Sequence, residues 1–207
     1  GRRDTQAVKT AFKHLGHGDR FIRYAARIAI ENQPVSEWEK KVLNAKKADT
    51  VITGAVALAR MGEASSRDAL LNKLLSLELA KLSERQKLEL SRAYALAFVR
   101  MGEPGSKDLT KRLVASFDSQ YPAESADLNR ELSQLLVFLK APSVIDKTLA
   151  MMDTKVASTM VVDKEALDRN DGYGGTIKKV LANTPEIQNL HYAMTLRNLR
   201  YGWKEDQ

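Results

Sequence analysis

Cysteine is missing from all 207 residues, and that absence removes disulfides, thiolate zinc sites and cysteine nucleophiles at once. It leaves the compartment open, because a helical domain of this length needs no covalent staple. Proline (5) and glycine (11) are sparse, which argues against disorder and against an all-β fold rich in turns. Aromatic residues make up only 6% of the chain. No uninterrupted apolar run approaches the roughly 18–20 residues of a membrane span. Charge of one sign does not gather into a tail either, since the basic residues fall as doublets: Arg2-Arg3, Lys40-Lys41, Lys46-Lys47, Lys111-Arg112 and Lys178-Lys179.

What remains is a helix-forming composition. Hydrophobic residues reach 43%, with alanine and leucine dominant, which suits close helix packing. The formal charge is +7, from 33 basic and 26 acidic residues. Dispersed doublets read as ordinary solvated helix surface, and an anionic partner is the competing reading.

The strongest signal is an echo. Ala57-Leu58-Ala59-Arg60-Met61-Gly62-Glu63 returns forty positions later as Ala97-Phe98-Val99-Arg100-Met101-Gly102-Glu103, and Ser66-Arg67-Asp68 returns as Ser106-Lys107-Asp108. A period of about forty with helical content is the mark of stacked helix pairs, each burying its apolar face against its neighbours. The expectation is an all-α, right-handed α-solenoid of antiparallel helix pairs. It forms one domain over residues 1–207 with about four to five pairs, irregular near 154–175.

Local signals place the helices. One is expected over Thr5–Leu15, ended by Gly16-His17-Gly18. Asp19 caps Arg20–Glu31, with Phe21, Ile22, Ala25, Ala26, Ile28 and Ala29 as its apolar stripe. Pro34 interrupts, and Ser36 with Glu39 forms a capping box. Asp49 caps a helix to Met61 that leaves through a left-handed Gly62. Asp19 and Asp49 lie thirty apart, with Ile22, Ala25 and Ala29 matched by Ile52, Ala55 and Ala59. Helices follow over Ser66–Leu82, Ser83–Met101 closed by Gly102, Ser106–Phe117, Ser125–Lys140 and Ser143–Asp153. Thr154–Met160 reads as loop and Asp163–Arg169 as one or two helical turns. A short helix should reach Leu181. Thr184-Pro185-Glu186 is a start signal for a helix to about Tyr201. The leading Gly1-Arg2-Arg3 reads as the edge of an excised segment, with targeting information and further domains expected outside it.

The run Asp19–Ile30 resembles the second helix of a HEAT repeat, in which Asp precedes an aliphatic–Arg pair, small Ala positions and a closing aliphatic pair. Asp49–Arg60 is similar, with Thr53 in place of Arg, and Ser91–Met101 keeps the Ala-rich half. The resemblance implies a HEAT/armadillo-like fold and is silent on chemistry. Three stretches, Arg20–Arg27, Asp168–Gly175 and Leu190–Asn198, together resemble the helical region of large secreted bacterial proteins. Those proteins also carry a sorbosone-dehydrogenase-like propeller and a c-type haem module. That resemblance implies an extracytoplasmic spacer between redox modules. The haem-attachment Cys-x-x-Cys-His is absent, so no redox role passes to these residues.

Candidate chemistry is thin. His14 and His17 stand one helical turn apart, a spacing metals use, yet glycines surround them and no third ligand is fixed. They read as exposed helix-end histidines. His191 has no nucleophile beside it. Gly172-Tyr173-Gly174-Gly175-Thr176 offers backbone N–H groups to an anion, but it lacks the strand and closing Gly-Lys-Ser/Thr of a P-loop. It reads as a tight turn. Glu37/Glu39 and Asp168/Asp171 sit in polar surroundings that give no reason for acid–base tuning. Trp38, Met151 and Met152 read as core fillers.

The candidate interaction surface comprises Arg23, Arg27, Arg60, Arg100, Arg197, Tyr173 and Trp203. Against it stands a structural ladder in which Asp49 or Asp68 ties helix ends to neighbouring arginines. The chain is expected to be a non-catalytic scaffold or protein-interaction domain without cofactor, metal or membrane contact. Its partner would be a protein or neighbouring domains of the same chain. The alternative is a nucleic-acid-binding HEAT-like protein, of DNA-glycosylase kind, using a basic concave face. The doublets on first helices, Lys40-Lys41 and Lys111-Arg112, count against that groove. An enzyme centred on Gly172–Thr176 is the weakest reading.

Overall fold

A computed structural model describes residues 4–153 and 187–205. Among them are ten α-helices and no strand, so the fold is all-α as expected. In chain order these are α1 (Thr5–His14), α2 (Arg20–Glu31), α3 (Glu39–Leu43), α4 (Ala48–Met61) and α5 (Arg67–Leu75). They continue as α6 (Glu84–Met101), α7 (Lys107–Asp118), α8 (Ala126–Phe138), α9 (Ser143–Asp153) and α10 (Ile187–Leu196). Short 3-10 turns cover Val35–Glu37, Ala64–Ser66 and Leu79–Lys81. The segments expected at Thr154–Met160, Asp163–Arg169, Gly172–Gly175, Leu181 and Pro185 lie outside the described residues.

Each odd-numbered helix packs on the even-numbered helix that follows it. The even-numbered helices also succeed one another in contact, α2 on α4, α4 on α6, α6 on α8 and α8 on α10, while α3 meets α5 and α5 meets α7. The forty-residue echo is visible in this succession. Helices α4 and α6 end at Met61 and Met101, and α5 and α7 begin at Arg67 and Lys107.

Caps fix the helix starts. Asp19 accepts from the Phe21 amide (2.7 Å), Ser106 from Leu109 (3.1 Å) and Ser125 from Leu128 (3.2 Å). Ser83 and Gln86 form a reciprocal capping box. Two expected caps are absent. Ser36 lies in the 3-10 turn, α3 starts after Trp38 without a side-chain cap, and the Glu39 carboxylate accepts from the Ser66 hydroxyl instead. Lys47, not Asp49, precedes α4, because Asp49 sits in its first turn and is engaged by Arg85 and Gln86 of α6. Nor is Gly62 left-handed: its φ of −81° and ψ of 172° are extended. Gly102, its counterpart, does turn to φ +88°. Helix α5 stops at Leu75, seven residues before the expected Leu82, where Ser76 Oγ turns back to the Lys73 carbonyl.

The core lies between the odd and even helices. Leu58, Leu70, Leu71, Leu74, Leu90 and Leu113 are fully buried, each such side chain contributing about 1.5–3 kcal/mol of transfer free energy. Helix α3 sits so close to α4 that a Cβ at Gly54 would stand 2.8 Å from Val42 Cγ2. Trp38 is wholly buried and donates Nε1–H to the Gln33 carbonyl at 3.2 Å. The scarce aromatics concentrate where α6, α7 and α8 meet. There Tyr94 stands edge-on to Phe117 (4.9 Å between centroids) and Phe98 stacks on Phe138 (4.7 Å).

The stripe expected on α2 is its buried face only in part: Ala26 is buried and Ile28 and Ala29 are half-buried, but its first members are not. Phe21 is 68% exposed, and Ile22 and Ala25 are exposed too, whereas Arg23, Ala26, Ile30 and Glu31 are buried. The counterparts on α4, Ile52, Ala55 and Ala59, are buried. Helix α4 has even-numbered neighbours on both sides, while among the described residues α2 has one only.

Candidate functional site

Arginines at positions 20, 23 and 27 of α2 recur at i, i+3 and i+7, a spacing that places all three on one helical face. That face turns toward α4 and α6. With Tyr24 it walls a shallow hollow of about 250 Å³, floored by Ile52, Thr53 and Val56 of α4 and closed by Glu89 and Arg92 of α6.

Arg23 is the anchor of this hollow. Although only 6% exposed, its guanidinium makes three hydrogen bonds through its two terminal nitrogens. Nη1 donates to the His17 and Gly18 carbonyls at 2.9 and 3.0 Å, and Nη2 reaches Glu89 Oε1 at 2.9 Å. A buried cation survives because carbonyl dipoles and a carboxylate replace its hydration. Glu89 gives its other oxygen to Arg85 at 2.7 Å, and Arg85 continues to Asp49 at 2.7 Å. The Asp49 hydrogen bond, helped by Glu89, holds the Arg85 guanidinium above its ordinary pKa. One polar chain therefore joins α2, α6 and α4.

The remaining cations differ in how far they are satisfied. Arg27 pairs with Glu31 and lies 5.1 Å from the Tyr24 ring centroid. Arg92 gives Nε–H to Glu131 of α8 at 2.8 Å, and its terminal nitrogens meet no acceptor among the described residues. Arg20 has no ion pair among the described residues. It rests 4.7 Å over the Phe21 ring.

The expected interaction residues do not converge. Arg23 and Arg27 line the hollow, Arg23 as a buried anchor. Arg60 and Arg100 lie in the last turns of α4 and α6, where Arg60 ties back to Glu31 at 3.1 Å and Arg100 donates to the Arg60 carbonyl at 3.4 Å. Arg197 is exposed just beyond α10, and Trp203, 40% exposed, donates to the Leu199 carbonyl at 2.6 Å. Tyr173 lies outside the described residues. Sequence reading missed Arg20, Thr53, Glu89 and Arg92. The 20–23–27 spacing was the available signal; which helices lay opposite was not.

The structural ladder is present. Asp49 holds Arg85, and Asp68 accepts from the Gly105 amide (2.9 Å) and from Arg67 (2.8 Å). Arg67, through its hydrogen bond, holds the Asp68 carboxyl below its ordinary value of 3.8. Further cross-ties join α6 to α8 (Arg92–Glu131), α8 to α10 (Arg130–Gln188, 3.1 Å) and α5 to α7 (Asn72–Arg112, 2.8 Å). The histidines are similarly placed: His14 and His17 are exposed, with His17 Nδ1 accepting from the Asp19 amide, and half-buried His191 faces Gln134. Among the described residues no three His, Asp or Glu side chains cluster for a metal, and no helix is long and apolar enough to cross a membrane.

Comparison with protein-family models, with curated proteins and with solved structures finds no match.

Proposed function

We propose that this chain is a non-catalytic, HEAT-like α-solenoid that binds another polypeptide on the face built by its even-numbered helices. The carrying observation is the repeated order of contacts, with each helix pair leaning on the next and with side-chain ties bridging successive even-numbered helices. Such an array places its second helices side by side as one extended surface, the part of a repeat protein that receives partners. The hollow between α2, α4 and α6 opens on that surface and is lined in part by arginine and tyrosine, residue types that dominate binding hot spots.

Scattering tests the architecture. A compact chain of 207 residues has a radius of gyration of roughly 17 Å, and a stacked array should exceed it clearly. A value at the compact limit removes the solenoid reading.

The resemblance carried by the sequences Arg20–Arg27, Asp168–Gly175 and Leu190–Asn198 supports a narrower role as spacer between modules of a larger secreted protein. The parent reading frame decides that: propeller and haem-attachment sequences on either side support it, and their absence removes it. Nucleic-acid binding is the second reading, supported by the +7 charge. Four carboxylates, Glu31, Asp49, Glu89 and Glu131, interleave with the arginines of the even-helix face and oppose a polyanion there. Lys40, Lys41 and Lys111 sit on the odd-numbered helices α3 and α7. DNA binding with a steep salt dependence would restore it.

A further inference from the structure

We infer that the hollow between α2, α4 and α6 receives a single acidic side chain of the partner polypeptide, with an aliphatic neighbour seated on Val56. This rests on the reading of the even-helix face as the protein-binding face, and names the chemistry that the face selects.

Three observations carry it. First, cationic donors remain unused at the rim. Arg20 has no carboxylate partner among the described residues, and Arg92 spends only its Nε–H on Glu131. Arg20 is also the first residue of α2, where the positive end of the helix dipole disfavours a cation. Helix stability therefore does not explain an arginine at that position, and an incoming carboxylate does. Second, the floor is mixed. Half-buried Val56 supplies apolar surface beside the Thr53 hydroxyl, so one apolar and one polar group are served together. Third, the cavity of about 250 Å³ lies below the usual range of small-molecule and cofactor sites, and accommodates one or two side chains.

The same geometry disfavours a nucleic-acid strand. Glu89 forms part of the wall, with Asp49 and Glu131 bound to its neighbours on either side. A continuous phosphate backbone would run against all three carboxylates, whereas one Asp or Glu placed against Arg20 and Arg92 faces only Glu89, whose two oxygens are already held by Arg23 and Arg85.

The test is a titration of the isotope-labelled protein, read by amide chemical shifts, with three probes. These are the blocked peptide Ser-Gly-Leu-Glu-Leu-Gly-Ser, the same peptide with Gln in place of Glu, and a single-stranded 12-mer oligonucleotide. The expected result is saturable shifts at Tyr24, Thr53 and Arg92 with the Glu peptide, and about tenfold weaker binding of the Gln peptide. Arg20→Gln should weaken the Glu peptide by a similar factor, while Arg20→Lys retains most of the binding. Because Arg20 holds no ion pair among the described residues, Arg20→Gln should keep the fold, which an unchanged urea midpoint verifies.

Equal binding of the two peptides on the even-helix face overturns the acid preference and leaves the protein-binding reading standing. Absence of saturable shifts with the Glu peptide also overturns the inference. Tighter binding of the oligonucleotide at the same amides replaces it with the nucleic-acid reading. Shifts confined to α3, α5 and α7 overturn the assignment of the face itself.

Discussion

Arg23 of α2 reaches Glu89 of α6 at 2.9 Å, although α4 lies between these two helices in the order of packing. The contact is not a surface ion pair of the weak kind, since Arg23 is buried and also carries two backbone carbonyls. Glu89→Gln keeps the shape and removes the charge, leaving the buried guanidinium undercompensated. The expected loss is about 1–2 kcal/mol, reduced from the fully buried case by the partial exposure of Glu89. Arg23→Ala should lose more, about 2–3 kcal/mol, because its bonds to the α1–α2 turn go as well. Urea unfolding of both variants and of the double mutant measures the coupling. Strict additivity of the two would show that the pair carries no energy.

Gly62 and Gly102 hold the same place in the forty-residue echo and are glycine for different reasons. At Gly102 the backbone has φ +88° and a Cβ would meet only Arg67 Nη1, at an uncrowded 4.0 Å, so Gly102→Ala should cost about 1–3 kcal/mol from conformation alone. At Gly62 the backbone is extended, but a Cβ would stand 2.7 Å from the Leu58 carbonyl oxygen. Gly62→Ala should therefore destabilise by collision. Gly18 is the control: nothing lies within 4 Å of its Cβ position and its φ is not positive. Gly18→Ala should be neutral or stabilise by about 0.5 kcal/mol. A melting series of the three variants checks the order, and an unperturbed Gly102→Ala would sink the argument.

Asp68 links stability to acid. Its folded carboxyl titrates below the ordinary 3.8, first through the Arg67 hydrogen bond, with the Gly105 amide assisting against desolvation. The sign follows: a depressed folded pKa gives stability that is present above 3.8 and is lost as pH falls through the folded value. Asp68→Asn should lower the urea midpoint at pH 6, and the gap to wild type should close as the pH is taken down through that window. A gap independent of pH would mean that the charge of Asp68 is irrelevant.

Ser91 presents the opposite case. Its hydroxyl is buried on α6 and finds no hydrogen-bond partner among the described residues. A buried polar group without a partner keeps its desolvation cost, so Ser91→Ala should raise stability by about 0.5–1 kcal/mol. Guanidinium unfolding would show it, and a loss in that assay would reveal a partner for the hydroxyl.

Helix positions were legible where the signal is local. Asp19, Ser83, Ser106 and Ser125 lie at helix starts because their side chains have no competing use there. Ser36, Glu39 and Asp49 carried the same signature and failed, since Ser66, Arg85 and Gln86 claim the two carboxylates from other helices. The face of α2 was misread for a related reason. Apolar periodicity marked Ala26 as inward correctly, but Phe21, Ile22 and Ala25 wrongly: among the described residues α2 has a single even-numbered neighbour and buries Arg23 in their stead. The hollow needed α2, α4 and α6 together, an arrangement that spacing within one helix does not specify. The echo anticipated more: Arg100 bonds the Arg60 carbonyl and Arg112 bonds Asn72, each pair separated by forty residues.

The two tryptophans, the only ones in the chain, occupy contrasting surroundings: Trp38 is sealed against α3 and Trp203 is open to solvent near the last described residues. Their emission should separate, Trp38 to the blue and protected from iodide, Trp203 to the red and quenched. Single-indole variants would thus report optically on the early and late parts of the fold, without any attached dye, and show whether it melts in one step or from one extremity.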